Sequence, residues 1–311
     1  MRSGQKRPGD ITGQGSQEIG MARDLFRDDE YFCSLVDQAS AITGEDLKIL
    51  CLKGPEKKLM QARYLQPLIV AVSLGYLRHI QEKGIKADFV LGHSLGEITA
   101  LAAAGVIDNK LAIAISAKRG ELMDAAASLC SGGMMAVLSM ESIHVIALID
   151  KLGLQNKIFI ANENTPNQNV VSGDIFALED LSASIAQAGG SSKKLYVSGP
   201  WHSPYLRGAY ERFNAWVEPI QFSKPHLPII FNATAKPELD PLKIKELISL
   251  QLCQPVYFKQ CMEYCKNKEI DTILEVGPGR VLAGLARANG FMQGVNVYSV
   301  NNLRGVASAA S

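Results

Sequence analysis

No long hydrophobic run interrupts this chain. Its apolar stretches, such as residues 67–74 and 98–106, are too short and too broken by polar or glycine neighbours to cross a bilayer, so no membrane anchor is expected. Charge of one sign is equally scarce. The 32 Lys and Arg balance 31 Asp and Glu to a formal net charge of +1, which gives nucleic acid no electrostatic footprint to recognise. Cysteine is sparse: Cys33, Cys51, Cys130, Cys253, Cys261 and Cys265 are scattered without a CxxC pair. That pattern argues against a disulfide framework and against a zinc site. The first twelve residues carry Arg2, Lys6, Arg7 and Pro8 but no apolar core segment, so they do not read as a secretory signal, and the expected compartment is the cytoplasm. Long amphipathic heptads are missing too, which leaves a monomer as the expected state.

What is there is an ordinary globular composition, 47% hydrophobic and 20% charged over 311 residues. That length is generous for one compact domain and fits a principal core carrying a smaller insertion. Ala87-Asp88-Phe89-Val90-Leu91 reads as a short buried strand, and residues 95–104 as an Ala/Leu-rich helix ended by Gly105. Helical periodicity recurs at 65–81 and 111–127, and strands are predicted at 272–276 and 295–300. The outer parts therefore predict an α/β domain with a largely parallel sheet. The middle has another rhythm: strand 134–139, helix 142–151, strands 157–162 and 169–172, helix 177–188 and strand 193–197. That βαββαβ order is the ferredoxin-like pattern. Ser131-Gly132-Gly133 and Ser198-Gly199-Pro200 bracket it, as expected where a chain twice crosses between two bodies. The expected division is a large domain of residues 1–130 and 199–311 and a subdomain of residues 131–198.

Gly92-His93-Ser94-Leu95-Gly96 is a GxSxG sequence between a predicted strand and a predicted helix, the context that this nucleophile motif requires. Glycine neighbours let strand and helix approach closely while the serine hydroxyl stays exposed on a strained turn. The helix start would set the Leu95 N–H beside an attacked carbonyl. Glu97 falls in the first helical turn, where the helix dipole is sufficient to account for a carboxylate and a contact to neighbouring backbone is the alternative.

Serine needs a base within hydrogen-bond reach, and the chain offers five histidines. His93 leaves the strand beside the nucleophile and points to another side. His79 lies within a helix, His144 opens one and His226 follows a proline. His202 stands in the Gly/Pro/Ser-rich connection that leaves the inserted subdomain, where functional residues collect. It is the candidate base, against the plainer reading of a surface loop histidine.

Taken together, Gly13-Gln14-Gly15-Ser16-Gln17, Gly92-His93-Ser94-Leu95-Gly96-Glu97, Arg119-Gly120, Asn162-Glu163-Asn164, the segment from Ser198 to Ser203, and Glu275-Val276-Gly277-Pro278-Gly279 form an ordered series. This series resembles the malonyl-CoA:acyl carrier protein transacylases and the related acyltransferase domains of polyketide synthases, from Gly13 to about Leu303. The resemblance implies an α/β-hydrolase-like large domain with a ferredoxin-like insert and a catalytic cleft between them. It implies that Ser94 is acylated, that His202 activates it, and that a backbone carbonyl, matched here to Gln254, orients the histidine. It also implies an oxyanion hole made of the Gln14 and Leu95 backbone N–H groups. Arg119 matches the arginine that binds the free carboxylate of the malonyl group, in a fork that lysine does not reproduce. Gln66, Asn162 and Asn164 match positions bordering the same site and the pantetheine path. Trp201, directly before the histidine, would crowd an α-methyl branch.

The implied reaction is ping-pong transfer of malonyl from malonyl-CoA to the phosphopantetheine thiol of an acyl carrier protein, with no bound cofactor and no metal. It serves fatty-acid or polyketide synthesis alike. Lys193, Lys194 and Arg207 are candidate contacts for an acidic carrier. The family pattern is broken at one place: the polar stretch from Arg2 to Asp10 precedes Gly13 where the family has an apolar strand, and it does not suit a buried parallel strand. Two other readings are a proofreading thioester hydrolase of the same fold, which Arg119 disfavours, and a silent protein that only docks carriers, which the joint presence of Ser94 and His202 disfavours.

Overall fold

The computed structural model describes residues 17–268, 270–291 and 294–310. Nine strands are described among them: β1 (Val90–Leu91), β2 (Gly132–Leu138), β3 (Ile158–Thr165), β4 (Gln168–Asp174), β5 (Ser191–Lys194), β6 (Ile229–Phe231), β7 (Lys236–Glu238), β8 (Thr272–Val276) and β9 (Asn296–Val300). They form a four-stranded sheet in the order β3-β4-β2-β5, a three-stranded sheet β1-β6-β7 and a pair β8-β9.

The four-stranded sheet is antiparallel throughout and carries the helices Ser142–Lys151 and Ile175–Gln187, so the element order is βαββαβ. Strands β2 and β4 are apolar at consecutive positions because both faces are covered, whereas β5, Ser191-Ser192-Lys193-Lys194, is a polar edge. Met135, Val137 and Val171 pack with Val145, Ile149, Leu181 and Ile185 of the two helices, while their neighbours Met134 and Val170 join the main core. Period-two geometry thus divides β2 and β4 between two cores. The strand predicted at 193–197 lies a little earlier, at Ser191–Lys194, although Leu195 still donates to the Met134 carbonyl.

The expected parallel sheet appears, among the described residues, as two short pieces. β1 runs parallel to β6 and β8 parallel to β9. β7 returns antiparallel to β6, since a tight turn with Ala235 at φ 52° folds the chain back as a hairpin. β1 is only two residues long because its partner is the three-residue strand that follows Pro228, whose carbonyl receives the Val90 N–H.

The main core is helical. Helix Ala62–Glu82 is buried on most sides and packs against helix Asn109–Ala127. Gly120 permits that approach: a Cβ there would stand 2.3 Å from the Ala62 carbonyl oxygen, closer than any side chain tolerates. The consequence for function is placement, because the same two helices carry Gln66 and Arg119 into the interior on facing sides. Asp124, from the later turns of the second helix, receives the Ala62 and Arg63 N–H groups at the start of the first and the Ser198 hydroxyl. The connection leaving β5 is therefore tied to the same frame. Among the described residues no helix is long and apolar enough to cross a membrane.

Candidate active site

Strand β1 ends at Leu91 and helix Gly96–Ala103 begins five residues later, so residues 92–95 must reverse direction in one tight turn. Gly92 makes this possible: a Cβ there would fall 1.9 Å from the Gly96 carbonyl carbon. Ser94 takes a left-handed φ of 51°, a costly conformation for a non-glycine residue that persists only where surroundings impose it. The turn closes through Gly96 N–H to the His93 carbonyl and Glu97 N–H to the Ser94 carbonyl. Neither bond uses the Leu95 N–H, which is left at the helix start beside the serine and has no acceptor among the described residues. That is the geometry of an anion-binding donor.

His202 is buried in the connection that leaves β5 and also has a left-handed φ, 58°. Its Nε2 stands 2.8 Å from Ser94 Oγ, and its Nδ1 stands 2.9 Å from the Gln251 carbonyl oxygen. A carbonyl only accepts, so Nδ1 carries the proton and Nε2 is free to accept from the serine hydroxyl. This fixes the base tautomer without any carboxylate. Burial, and then the nearby charge of Arg119, push the His202 pKa down to about 3. The imidazole is therefore neutral at ordinary pH.

The acceptor assigned to Gln254 from the sequence is corrected by this geometry: Gln251 supplies the 2.9 Å contact. The physical reason is the end of helix Pro241–Leu250, where Gln251 is the closing residue and its carbonyl has no helical donor to receive. The Gln254 carbonyl favours a protonated His202 only as a smaller influence.

Arg119 is among the largest fully buried side chains, with 1% of its surface exposed. Its Nη1 donates to Gln66 Oε1 at 2.9 Å, and its Nη2 donates to Gln251 Oε1 at 2.8 Å and to Ser94 Oγ at 3.0 Å. Its Nε has no partner among the described residues. Burial lowers its pKa to about 10, which the charge of Glu97 opposes, so it stays cationic at neutral pH. A buried cation in contact with a nucleophile demands an anion.

The structure thus brings Ser94, His202, Arg119, Gln66 and the Leu95 N–H to one place. Trp201 is buried next to His202 in sequence, with its indole Nε1 unpartnered among the described residues. Asn164 is spent on structure: its Oδ1 receives the His93 Nε2–H at 2.9 Å and its carbonyl receives Asn289. Asn162 is buried where β3 bridges to Val256. Gln14 lies outside the described residues, as does all of its motif except Gln17.

Three residues of the site escape sequence reasoning. Asn232 follows β6 and clasps the turn, its Oδ1 receiving the Ser94 N–H and its Nδ2 donating to the Gly92 carbonyl, both at 2.7 Å. The Gln251 side chain donates to the Ser94 carbonyl at 2.8 Å. Glu97, 1% exposed, lies beneath both. The signals were faint: a polar residue ending the apolar run Ile229-Ile230-Phe231, and a carboxylate whose position the helix dipole already explained.

Residues 11–300 match the acyl transferase domain family. The chain is 34% identical over 280 residues to the malonyl CoA-acyl carrier protein transacylase of Bacillus subtilis, covering 89% of this chain and 88% of that one. It is 38% identical over 278 residues to a polyketide biosynthesis malonyl CoA-acyl carrier protein transacylase of the same organism, covering 88% and 94%. Among solved structures it superposes on the malonyl CoA-acyl carrier protein transacylase of Clostridium perfringens with a TM-score of 0.88 at 31% identity, covering 96% and 93%. A malonyl-transacylase solved in complex with a type II polyketide acyl-carrier protein gives a TM-score of 0.90 at 32% identity, covering 96% of both chains. With its serine–histidine pair and buried arginine in the places described, the chain belongs to the acyl transferase domain family and stands among its malonyl CoA-acyl carrier protein transacylases.

Proposed function

We propose that this chain moves a malonyl group from malonyl-CoA to the phosphopantetheine thiol of an acyl carrier protein through an ester on Ser94. The observation that carries this reading is Arg119, a buried guanidinium 3.0 Å from the nucleophile. In malonyl-CoA the carboxylate lies two carbon–carbon bonds from the attacked carbonyl, so one cation can hold it while the serine reacts. An uncharged acyl group has no use for such a residue.

The sequence of steps follows from the tautomer. Ser94 attacks the thioester carbonyl as its proton passes to His202 Nε2, and the oxyanion forms against the Leu95 N–H, with the Gln14 N–H as the proposed second donor. Collapse expels the coenzyme A thiolate, which takes the proton from His202. The carrier thiol then enters, gives its proton to His202 and attacks the ester, and Ser94 leaves with that proton restored. Nothing in these steps calls for a metal or a redox group. Engaging the substrate carboxylate also withdraws Arg119 from Ser94 Oγ, and it cancels the charge that depresses the His202 pKa. The substrate so strengthens the base that acts on it.

The cleft for this chemistry lies between an α/β-hydrolase-like domain, residues 1–130 with 199–311, and a ferredoxin-like subdomain, residues 131–198. The βαββαβ order and the position of His202 just after that segment support this division. Asn162, at the bridge between β3 and Val256, borders the pantetheine path in this reading. Trp201 narrows the acyl pocket beside His202, a discrimination against one α-methyl branch worth ~1–3 kcal/mol.

Radiolabelled malonyl-CoA followed by phosphopantetheinylated carrier tests the reading. Label is expected first on the protein and then on the carrier; release as free malonate would make the chain a hydrolase, and an unlabelled protein would overturn the proposal. A second expectation concerns pH. Because His202 is held near 3, its neutral form persists well below the ordinary histidine range, and kcat/KM for malonyl-CoA should show no acid limb of an ordinary histidine between about pH 5 and 7. An acid limb near 6.5 would mean that the base is not a buried His202.

A further inference from the structure

The geometry points to Glu97 as the residue that positions the nucleophile turn, acting through the amides of Asn232 and Gln251. Both oxygens of its buried carboxyl accept N–H donors: Oε1 from the Asn232 backbone and Oε2 from Gln251 Nε2. Each of these donor residues in turn grips the backbone around Ser94. Asn232 holds the Gly92 carbonyl and the Ser94 N–H, and Gln251 holds the Ser94 carbonyl. Three backbone groups of one turn are thus clamped by two side-chain amides, and the residues that carry them meet on a single carboxyl, Asn232 through its backbone N–H and Gln251 through its side-chain amide. The clamp encloses the residue with the left-handed φ, and such a conformation needs surroundings that impose it.

The carboxyl also decides which way the Gln251 amide faces. An amide has one accepting end and one donating end. With Nε2 on Glu97 and on the Ser94 carbonyl, Oε1 is left for Arg119 Nη2. The Gln251 carbonyl meanwhile orients His202. Glu97 touches neither acyl group nor reacting atom, yet both the nucleophile and the carboxylate-binding arginine are set through partners that it fixes. The inference deepens the proposed reaction and rests on the same site.

Glu97→Gln in the full chain is the test. Glutamine offers one acceptor where Glu97 offers two, so either the Asn232 N–H loses its partner or Gln251 turns over, setting its NH2 against Arg119 and its oxygen against the Ser94 carbonyl. The readouts are the thermal midpoint, the rate constant for Ser94 labelling by malonyl-CoA, and the rate constant for labelling by a fluorophosphonate. The fluorophosphonate carries no carboxylate, so it reports on the serine turn even if malonyl is not the substrate; failure of wild type with malonyl-CoA alone would strike the proposed function and leave this inference standing. The expected result is a loss of about 10²-fold in the rate constant per folded molecule with both reagents. A folded variant that reacts with the fluorophosphonate at the wild-type rate would overturn the inference. A purely structural role would lower the midpoint and the fraction labelled without changing the rate constant of the folded remainder. Combining Glu97→Gln with Asn232→Ala is expected to cost little more than the worse single change, because both open the same clamp; additive losses would also overturn it. If Glu97→Gln does not fold, Glu97→Asp decides, since it keeps the carboxyl group and shortens the reach by one methylene. It should slow fluorophosphonate labelling about tenfold, and an undiminished rate would be the overturning result.

Discussion

Ser94→Ala is expected to abolish labelling by malonyl-CoA and to lower transfer to the carrier by about 10⁴-fold or more, with the thermal midpoint nearly unchanged. The size follows from the mechanism, since no other side chain in the turn can carry the ester and the remaining groups only bind and polarise. The fold should survive because the hydroxyl serves function and not packing: its contacts are His202 Nε2 and Arg119 Nη2. Removing it even relieves a constraint on the arginine. His202→Ala should cost nearly as much in the acylation rate, because the turn then holds a serine with no base. The two changes together should be no worse than Ser94→Ala alone, since serine and histidine act as one unit. Single-turnover labelling checks all three variants. A Ser94→Ala protein that still took up label would place the nucleophile elsewhere.

The legible parts of this protein are those where local pattern and tertiary role agree. Gly92 and Ser94 could be read because a tight strand-to-helix turn needs a glycine at the close approach and leaves a serine exposed, and both demands are local. The βαββαβ segment was legible for the same reason: its helices and strands follow one another within short spans, each with its own local period. The site beyond Ser94 is different. Arg119, Gln251 and Asn232 come from separate elements, lie far from Ser94 in the chain and meet it only through the packing of the core. The Gln254 assignment missed by three residues because the acceptor is a helix-end carbonyl, and any residue type presents the same carbonyl. Glu97 was misread for a subtler cause. Its place in the first helical turn is explained equally by a solvated dipole interaction and by burial under two amides. Burial is not written in a single side chain. Only the structure shows that burial raises its pKa, against the pull of Asn232, Gln251 and the Arg119 charge, to about 8.

Arg119→Ala should separate the malonyl group from uncharged acyl groups more sharply than any other change. The guanidinium is buried, held by Gln66 and Gln251, and available to a carboxylate through a fork of donors. Losing a charge-assisted contact in such a place costs about 3–4 kcal/mol of transition-state binding, so kcat/KM for malonyl-CoA should fall by about 10²–10³-fold. Acetyl-CoA presents no carboxylate and should not suffer. Its labelling rate should rise a few-fold, since the variant frees Ser94 Oγ from a competing donor and removes the charge that depresses the His202 pKa. The opposite signs for two substrates distinguish a recognition role from a structural one, because a collapsed pocket slows both. Arg119→Lys is expected to recover little of the loss: an ammonium on a flexible stem cannot at once satisfy Gln66, Gln251 and a two-oxygen ligand in one plane. Measuring kcat/KM for the two thioesters on wild type and both variants decides the matter. Equal losses for malonyl-CoA and acetyl-CoA would return Arg119 to the frame of the protein and remove the reason for assigning a malonyl substrate.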